Sequence, residues 1–330
     1  MKFSARISCL AMCCAPLVFA QSVPDSIEGH RAAARAGAGQ DLVGIYNRAC
    51  PAENPAPPQA RGPAGRGAAA APRPDPPRDQ WYAEPVKVFD NLYFLGTKIH
   101  GSWAVTTSDG IIIIDTLYSY AAEPEIVEGL RKLGLDPAKI KYVVVSHGHG
   151  DHDAGAKLLQ DQFHPHILFS AADWELAERD TRNPIPARDM VATDGEKLKL
   201  GDTTITLYIT PGHTPGTIST LVPVKDLGHP HLAAEWGGTA LSTATPIPMI
   251  EAYIKSAERF RDIAVGAGAD VIITNHSEFD NSFAKLNALA TRKPGDPNPY
   301  VVGKPTVQRY LTVAEECGKA MLLAAKATQH

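Results

Sequence analysis

Val143-Val144-Val145-Ser146-His147-Gly148-His149-Gly150-Asp151-His152 decides the reading of this chain, because an apolar run empties into four side chains able to bind metal. The stretch from Ile140 to Val145 is short and β-branched, as expected of a buried strand. In α/β folds the loop leaving the carboxyl end of such a strand is where sites are built. A lone histidine in a loop is most often a surface or hydrogen-bonded core residue, but three histidines and an aspartate within six residues have no such bland explanation. Imidazole nitrogen and carboxylate oxygen suit zinc, and a catalytic zinc takes about three protein ligands plus an open position. Four ligands in one loop therefore point to more than one ion, and Gly148 and Gly150 leave the backbone free to bring them to one point.

Two further segments repeat the placement. Thr203 to Thr210 alternates like a strand and runs into Pro211-Gly212-His213-Thr214-Pro215-Gly216, a turn that presents His213. Asp270 to Thr274 reads as another strand and delivers Asn275-His276-Ser277. The chemistry suggests a partition in which His147, His149 and His213 hold one Zn2+ while Asp151, His152 and His276 hold a second. Two adjacent cations turn the water between them into a nucleophile near neutral pH and polarise a carbonyl or phosphoryl oxygen, so the reaction class is metal-assisted hydrolysis. Asp151 is the candidate to orient that water as well as to bind. Asp115, at the end of the strand Ile111 to Ile114, is placed to accept the free ring N–H of a ligand histidine and fix its tautomer.

HGHGDHDAG, TPGHTPGT and TNHSEFD resemble the successive metal motifs of the metallo-β-lactamase superfamily, and the similarity runs from about Trp81 to Ala290. That resemblance implies an α/β fold, a four-layer αβ/βα sandwich of two mixed β-sheets flanked by helices. Many members carry a bridging aspartate between the second and third histidine motifs, and other zinc β-lactamases a cysteine. Here the matching stretch is Glu235-Trp236-Gly237-Gly238-Thr239-Ala240-Leu241-Ser242, with neither; Glu235 is the nearest substitute. A His-His-His and Asp-His-His ligand set without a bridging carboxylate is similar to the third subclass of metallo-β-lactamases. The resemblance implies two zinc ions per chain and β-lactam hydrolysis. A lactonase or another cyclic-ester or amide hydrolase is the alternative, and an iron-dependent oxidoreductase on the same fold is a remote one. A fold hosts many chemistries, so the substrate is less well specified than the metals.

Around the site, Thr239 and Ser242 are candidates to hydrogen-bond a substrate carboxylate, and His100, in the loop Gly96 to Trp103, to form a mobile rim. His164, His166, His229 and His231 fall between prolines and read as surface residues in loops.

The remaining sequence sets the context. With 330 residues and 44% apolar content the chain can bury one large core. A net charge of −4 without a basic stripe, and 7% aromatics, argue against nucleic acid, and the resemblance implies a small-molecule substrate. Lys2 and Arg6 precede an apolar run to Phe19 and the small residue Ala20, which reads as a cleavable signal over residues 1–20 and hence a periplasmic or secreted protein. The run is too short to span a membrane, and Met12 suits a lipid anchor at Cys13 poorly. Residues 21–80 form an extension that contains the proline, alanine and glycine tract Pro51 to Arg78, with a short helix expected near Gln40 to Ala49. Residues 81–330 form the catalytic domain, closed by a helix after Pro305-Thr306. Beyond the signal only Cys50 and Cys317 remain, an even pair that predicts one disulfide in an oxidising compartment.

Overall fold

A computed structural model describes residues 23–50 and 75–328. The expected signal, residues 1–20, and most of the proline-rich tract lie outside the described residues. Two mixed sheets face each other. The first holds, in spatial order, β1 (Val86–Lys87), β2 (Leu92–Phe94), β3 (Trp103–Thr107), β4 (Gly110–Ile114), β5 (Ile140–Val144), β6 (His166–Ser170) and β7 (Met190–Ala192). It is antiparallel from β1 to β4 and parallel from β4 to β7. The second runs from β8 (Glu196–Leu200) through β9 (Thr203–Ile209), β10 (Ile218–Asp226) and β11 (His229–Glu235) to β12 (Val271–Ile273), with only β12 joining in parallel.

The side-chain period of a strand explains the layers. Along β4, Ile112 and Ile114 enter the core shared by both sheets, where Val144, Leu168, Ile205, Leu207, Val222 and Val271 meet them. Ile111 and Ile113 point the other way, toward helices that cover the first sheet. On the second sheet Leu221, Ala234 and Ile272 turn outward to the helices Ile247–Ala267 and Lys304–Ala327. Strands covered on both faces are apolar throughout, which is why β4 reads as an unbroken isoleucine run. The result is the αβ/βα sandwich expected from the motifs. Among the described residues no helix is long and apolar enough to cross a membrane.

The amino-terminal segment is more structured than its composition suggests. A helix does form at Val43–Ala49, but a second, Ile27–Ala38, precedes it. Ala34, Ala38, Ile45 and Ala49 are buried against Val307, Tyr310, Ala314 and neighbouring residues of the terminal helix. Ser26 caps the first helix by accepting from the Gly29 N–H. Cys50 bonds Cys317 across 267 residues of sequence. Closing so long a loop restricts the unfolded chain strongly, so replacing both cysteines by serine is expected to cost about 2–5 kcal/mol. Denaturant titration of the oxidised protein and the double variant checks this; coincident midpoints would refute it.

Candidate metal centre

All six predicted ligands sit at one edge of the sandwich, where β4, β5, β11 and β12 end and β9 turns into β10. His147 and His149 occupy the loop after β5, and Asp151 and His152 the short helix Gly150–Asp153 that follows. His213 comes from the turn between β9 and β10, and His276 follows β12. His213 Nε2 stands 3.1 Å from His147 Nε2 and 3.1 Å from His149 Nδ1. In the second group His152 Nε2 lies 3.2 Å from His276 Nε2 and 3.3 Å from Asp151 Oδ2, and His276 Nε2 is 3.5 Å from that same oxygen. The rings of His147 and His152, one from each group, are 4.2 Å apart, so the two groups abut.

In the first group the outward ring nitrogens of His147 and His213 are anchored. His147 Nδ1 donates to the Gly237 carbonyl at 2.9 Å, and His213 Nδ1 donates to the Ala240 carbonyl. Both Nε2 atoms therefore carry lone pairs, yet they face each other. Burial holds His147 well below the usual imidazole pKa and brings His213 down to about 4, so both rings are neutral, as ligands must be. Converging lone pairs with no proton to share repel one another unless a cation lies among them. The spacing fits one, since donors bound tetrahedrally at about 2.0–2.1 Å stand about 3.3 Å apart.

Electrostatics in the second group point the same way. Asp115 Oδ2 accepts from His152 Nδ1 at 2.8 Å, and its two oxygens also accept from the backbone and hydroxyl of Ser146. Burial opposes charge on His152, but the carboxylates of Asp151 and Asp115 outweigh it and push its pKa up to about 10. Partial burial opposes charge on Asp151 as well, yet the His152 charge beside it holds its carboxyl well below the usual range. The same negative field favours a cation, which would take the place of the proton on His152 Nε2. The residues present thus fit the zinc that the motifs imply. Asp115 itself is fully buried with φ +60, a strained conformation kept in place by these hydrogen bonds.

Several sequence expectations need correction. Thr239 is only 2% exposed, and its carbonyl accepts from the Tyr253 hydroxyl, so its side chain has no surface to offer a substrate. Ser242 is exposed, but its hydroxyl is engaged by Thr245 and the Ala244 N–H within its own turn. Glu235 does not stand in for a bridging carboxylate: it is fully buried and accepts from Thr220 on β10, and burial beside the charge of Asp115 pushes its pKa up to about 8. His166 opens β6, and His229 and His231 lie on β11, not in loops; His231 pairs with Asp270 at 2.7 Å. His100 lies inside the cluster, its side chain 13% exposed, where a rim had been expected.

The stretch lacking a carboxylate supplies something else. Gly237 and Ala240 present the carbonyls that fix His147 and His213, and Asn275 Nδ2 donates to the same Gly237 carbonyl at 2.8 Å. Only glycine fits at 238, because a Cβ there would stand 2.5 Å from His213 Cβ. Asp173, which the sequence does not single out, binds both ligand loops. It accepts from Gly148 N–H at 3.0 Å, Thr214 Oγ1 at 2.6 Å and Gly216 N–H at 2.8 Å.

Known proteins share the fold and the sequence of its central part. Residues 96–228 match the model of the metallo-beta-lactamase superfamily. A stretch of 138 residues is 31% identical to metallo-beta-lactamase domain-containing protein 1 of Xenopus laevis, covering 40% of this chain and 53% of that protein. Another 120 residues are 35% identical to a hydroxyacylglutathione hydrolase of Xanthomonas axonopodis pv. citri, covering 36% of this chain and 41% of that protein. The chain thus spans about half the length of the curated relatives it matches. A solved subclass B3 metallo-beta-lactamase of Bradyrhizobium japonicum superposes with a TM-score of 0.65 at 26% identity, over 75% of this chain and 97% of that one. The fold is that of the metallo-β-lactamase superfamily, and the donor clusters at its edge are groups that could hold metal ions. Residues 96–228 are similar to that superfamily, and among solved structures the chain is similar to a subclass B3 enzyme.

Proposed function

We propose that this protein opens the amide of β-lactam rings with two zinc ions, one held by His147, His149 and His213 and the other by Asp151, His152 and His276. The observation that carries the reading is the pair of abutting donor clusters, at 3.1–3.5 Å internal spacing, with the rings of His147 and His213 oriented from behind by the backbone carbonyls of Gly237 and Ala240. When bound, the ions supply a water activated near neutral pH and a Lewis acid for the carbonyl oxygen. Asp151 holds the attacking water in line through the oxygen it does not turn to His152. Asp115 keeps the His152 ring in orientation, and Asp173 keeps the two ligand loops in register. The similarity to a subclass B3 enzyme supports a β-lactam as substrate.

Thioesters or lactones are the second reading, favoured by the likeness to hydroxyacylglutathione hydrolases. Export completes the proposal: residues 1–20 act as a cleaved signal, and the Cys50–Cys317 bridge suits an oxidising compartment. Zinc-loaded protein assayed on nitrocefin, a carbapenem and an acyl-homoserine lactone, with and without chelator, tests the function. Chelator-sensitive β-lactam turnover is expected. Zinc-loaded protein that turns over only the lactone would replace the first reading with the second, and iron with oxygen consumption would replace both.

A further inference from the structure

His100 is the histidine at this edge that no motif includes. Its Nε2 lies 3.6 Å from Asp151 Oδ2, and its ring is 5.0 Å from that of His276 and 6.3 Å from that of His152. The ligand atoms of His100, Asp151 and His276 all lie within 4.8 Å of one another. At 3.6 Å the contact with Asp151 is too long for a hydrogen bond, yet it matches the separation of two donors on one ion. On its other side, Nδ1 lies only at the outer limit of contact with Thr97 Oγ1, at 3.5 Å. No strong hydrogen bond therefore accounts for where this half-buried ring points.

The backbone fixes the placement. His100 pairs with His276 in an antiparallel bridge; Gly101 N–H donates to the Asn275 carbonyl at 2.7 Å, and Ser277 N–H donates to the Ile99 carbonyl at 2.9 Å. Thr97 Oγ1 accepts from His100 N–H at 2.9 Å and closes the turn. A Cβ at Gly101 would stand 2.2 Å from the Thr274 carbonyl oxygen, so the two segments touch as closely as backbones can. His100 and His276 are thus carried on one paired unit, and a shift in either moves both.

We propose that His100 is a fourth protein donor to the ion held by Asp151, His152 and His276. The inference rests on the two-ion reading above. It makes the two centres unequal: three protein donors and an open position at His147, His149 and His213, against a set of four at the other, the complement of a closed zinc site. The second ion is then the more tightly held, and substrate and solvent meet the first more freely.

The test is metal binding by the full chain, independent of turnover. Metal-free wild type, His100→Ala and His213→Ala are titrated with zinc against a chromophoric chelator, and with cobalt to read ligand number from the intensity of its visible bands. Wild type is expected to bind two ions. His100→Ala should weaken one of them by more than ~10-fold and change the cobalt spectrum of that equivalent alone, while His213→Ala weakens the other. Weaker affinity with an unchanged cobalt spectrum would make His100 an outer partner and overturn the proposal, as would two unchanged affinities. Wild type that binds only one ion overturns the two-ion reading and this inference with it. Should His100→Ala fail to fold, His100→Gln, which keeps the backbone bonds and much of the volume, is read by the same two measurements.

Discussion

Asp151→Asn is expected to lower kcat/KM by about 10²–10⁴ while leaving one zinc per chain in place. The carboxylate faces His152 at 3.3 Å, His276 at 3.5 Å and His100 at 3.6 Å, so it is the common neighbour of every donor in the second cluster. Asparagine keeps the shape but removes the charge, and an amide oxygen is a far weaker partner for a cation than a carboxylate. The first cluster, built only from imidazoles, has no direct share in that loss. Zinc analysis alongside steady-state kinetics separates two effects: loss of the second ion, and loss of orientation of the attacking water. A variant that keeps two zinc ions and full turnover would remove both roles from Asp151.

Asp173→Ala is expected to be the most destabilising change near the site. The Asp173 side chain is buried and accepts from two backbone N–H groups and one hydroxyl, all on ligand-bearing loops. Alanine leaves Gly148 N–H, Gly216 N–H and Thr214 Oγ1 without that acceptor. Thr214 Oγ1 can turn to Thr217 Oγ1 at 2.7 Å, but the two N–H groups are orphaned at about 1–3 kcal/mol each, so the sum is about 2–6 kcal/mol against a typical stability of about 5–15 kcal/mol. Asparagine is no remedy, because its NH2 would turn a donor toward other donors. Denaturant unfolding should show the loss, and the ion at His147, His149 and His213 should bind more weakly because its two loops are no longer tied. An unchanged midpoint together with unchanged zinc affinity would refute the role.

These two aspartates differ in how far they can be read from sequence. Asp151 stands inside HGHGDH, where ligand-type residues crowd too closely for any bland reading. Asp173 stands in Ser170-Ala-Ala-Asp173-Trp-Glu, where an acidic residue in the first turn is what any capped helix shows. Its partners lie 25 to 43 residues away in sequence, and no local pattern reports them. Thr239 fails for the opposite reason. Motif alignment places it beside the metals, but only the packing of Tyr253 beneath reveals that it faces inward.

From sequence alone come the strands that end in candidate ligands, six candidate donors, Asp115 and the cysteine pair, while the sandwich architecture comes from the family resemblance of the motifs. Each of the former follows from side-chain type and short-range spacing: a strand's period, a turn's glycine and proline, an imidazole at a loop. Tertiary structure alone decides which lone pairs share a point, and that the carbonyls of Gly237 and Ala240 set the tautomers of His147 and His213. It also lays the helix Ile27–Ala38 on the last helix and brings His100 from a loop of no distinctive sequence to the edge of the second cluster. Such features depend on contacts between residues tens to hundreds of positions apart, where backbone groups and ordinary side chains carry the specificity.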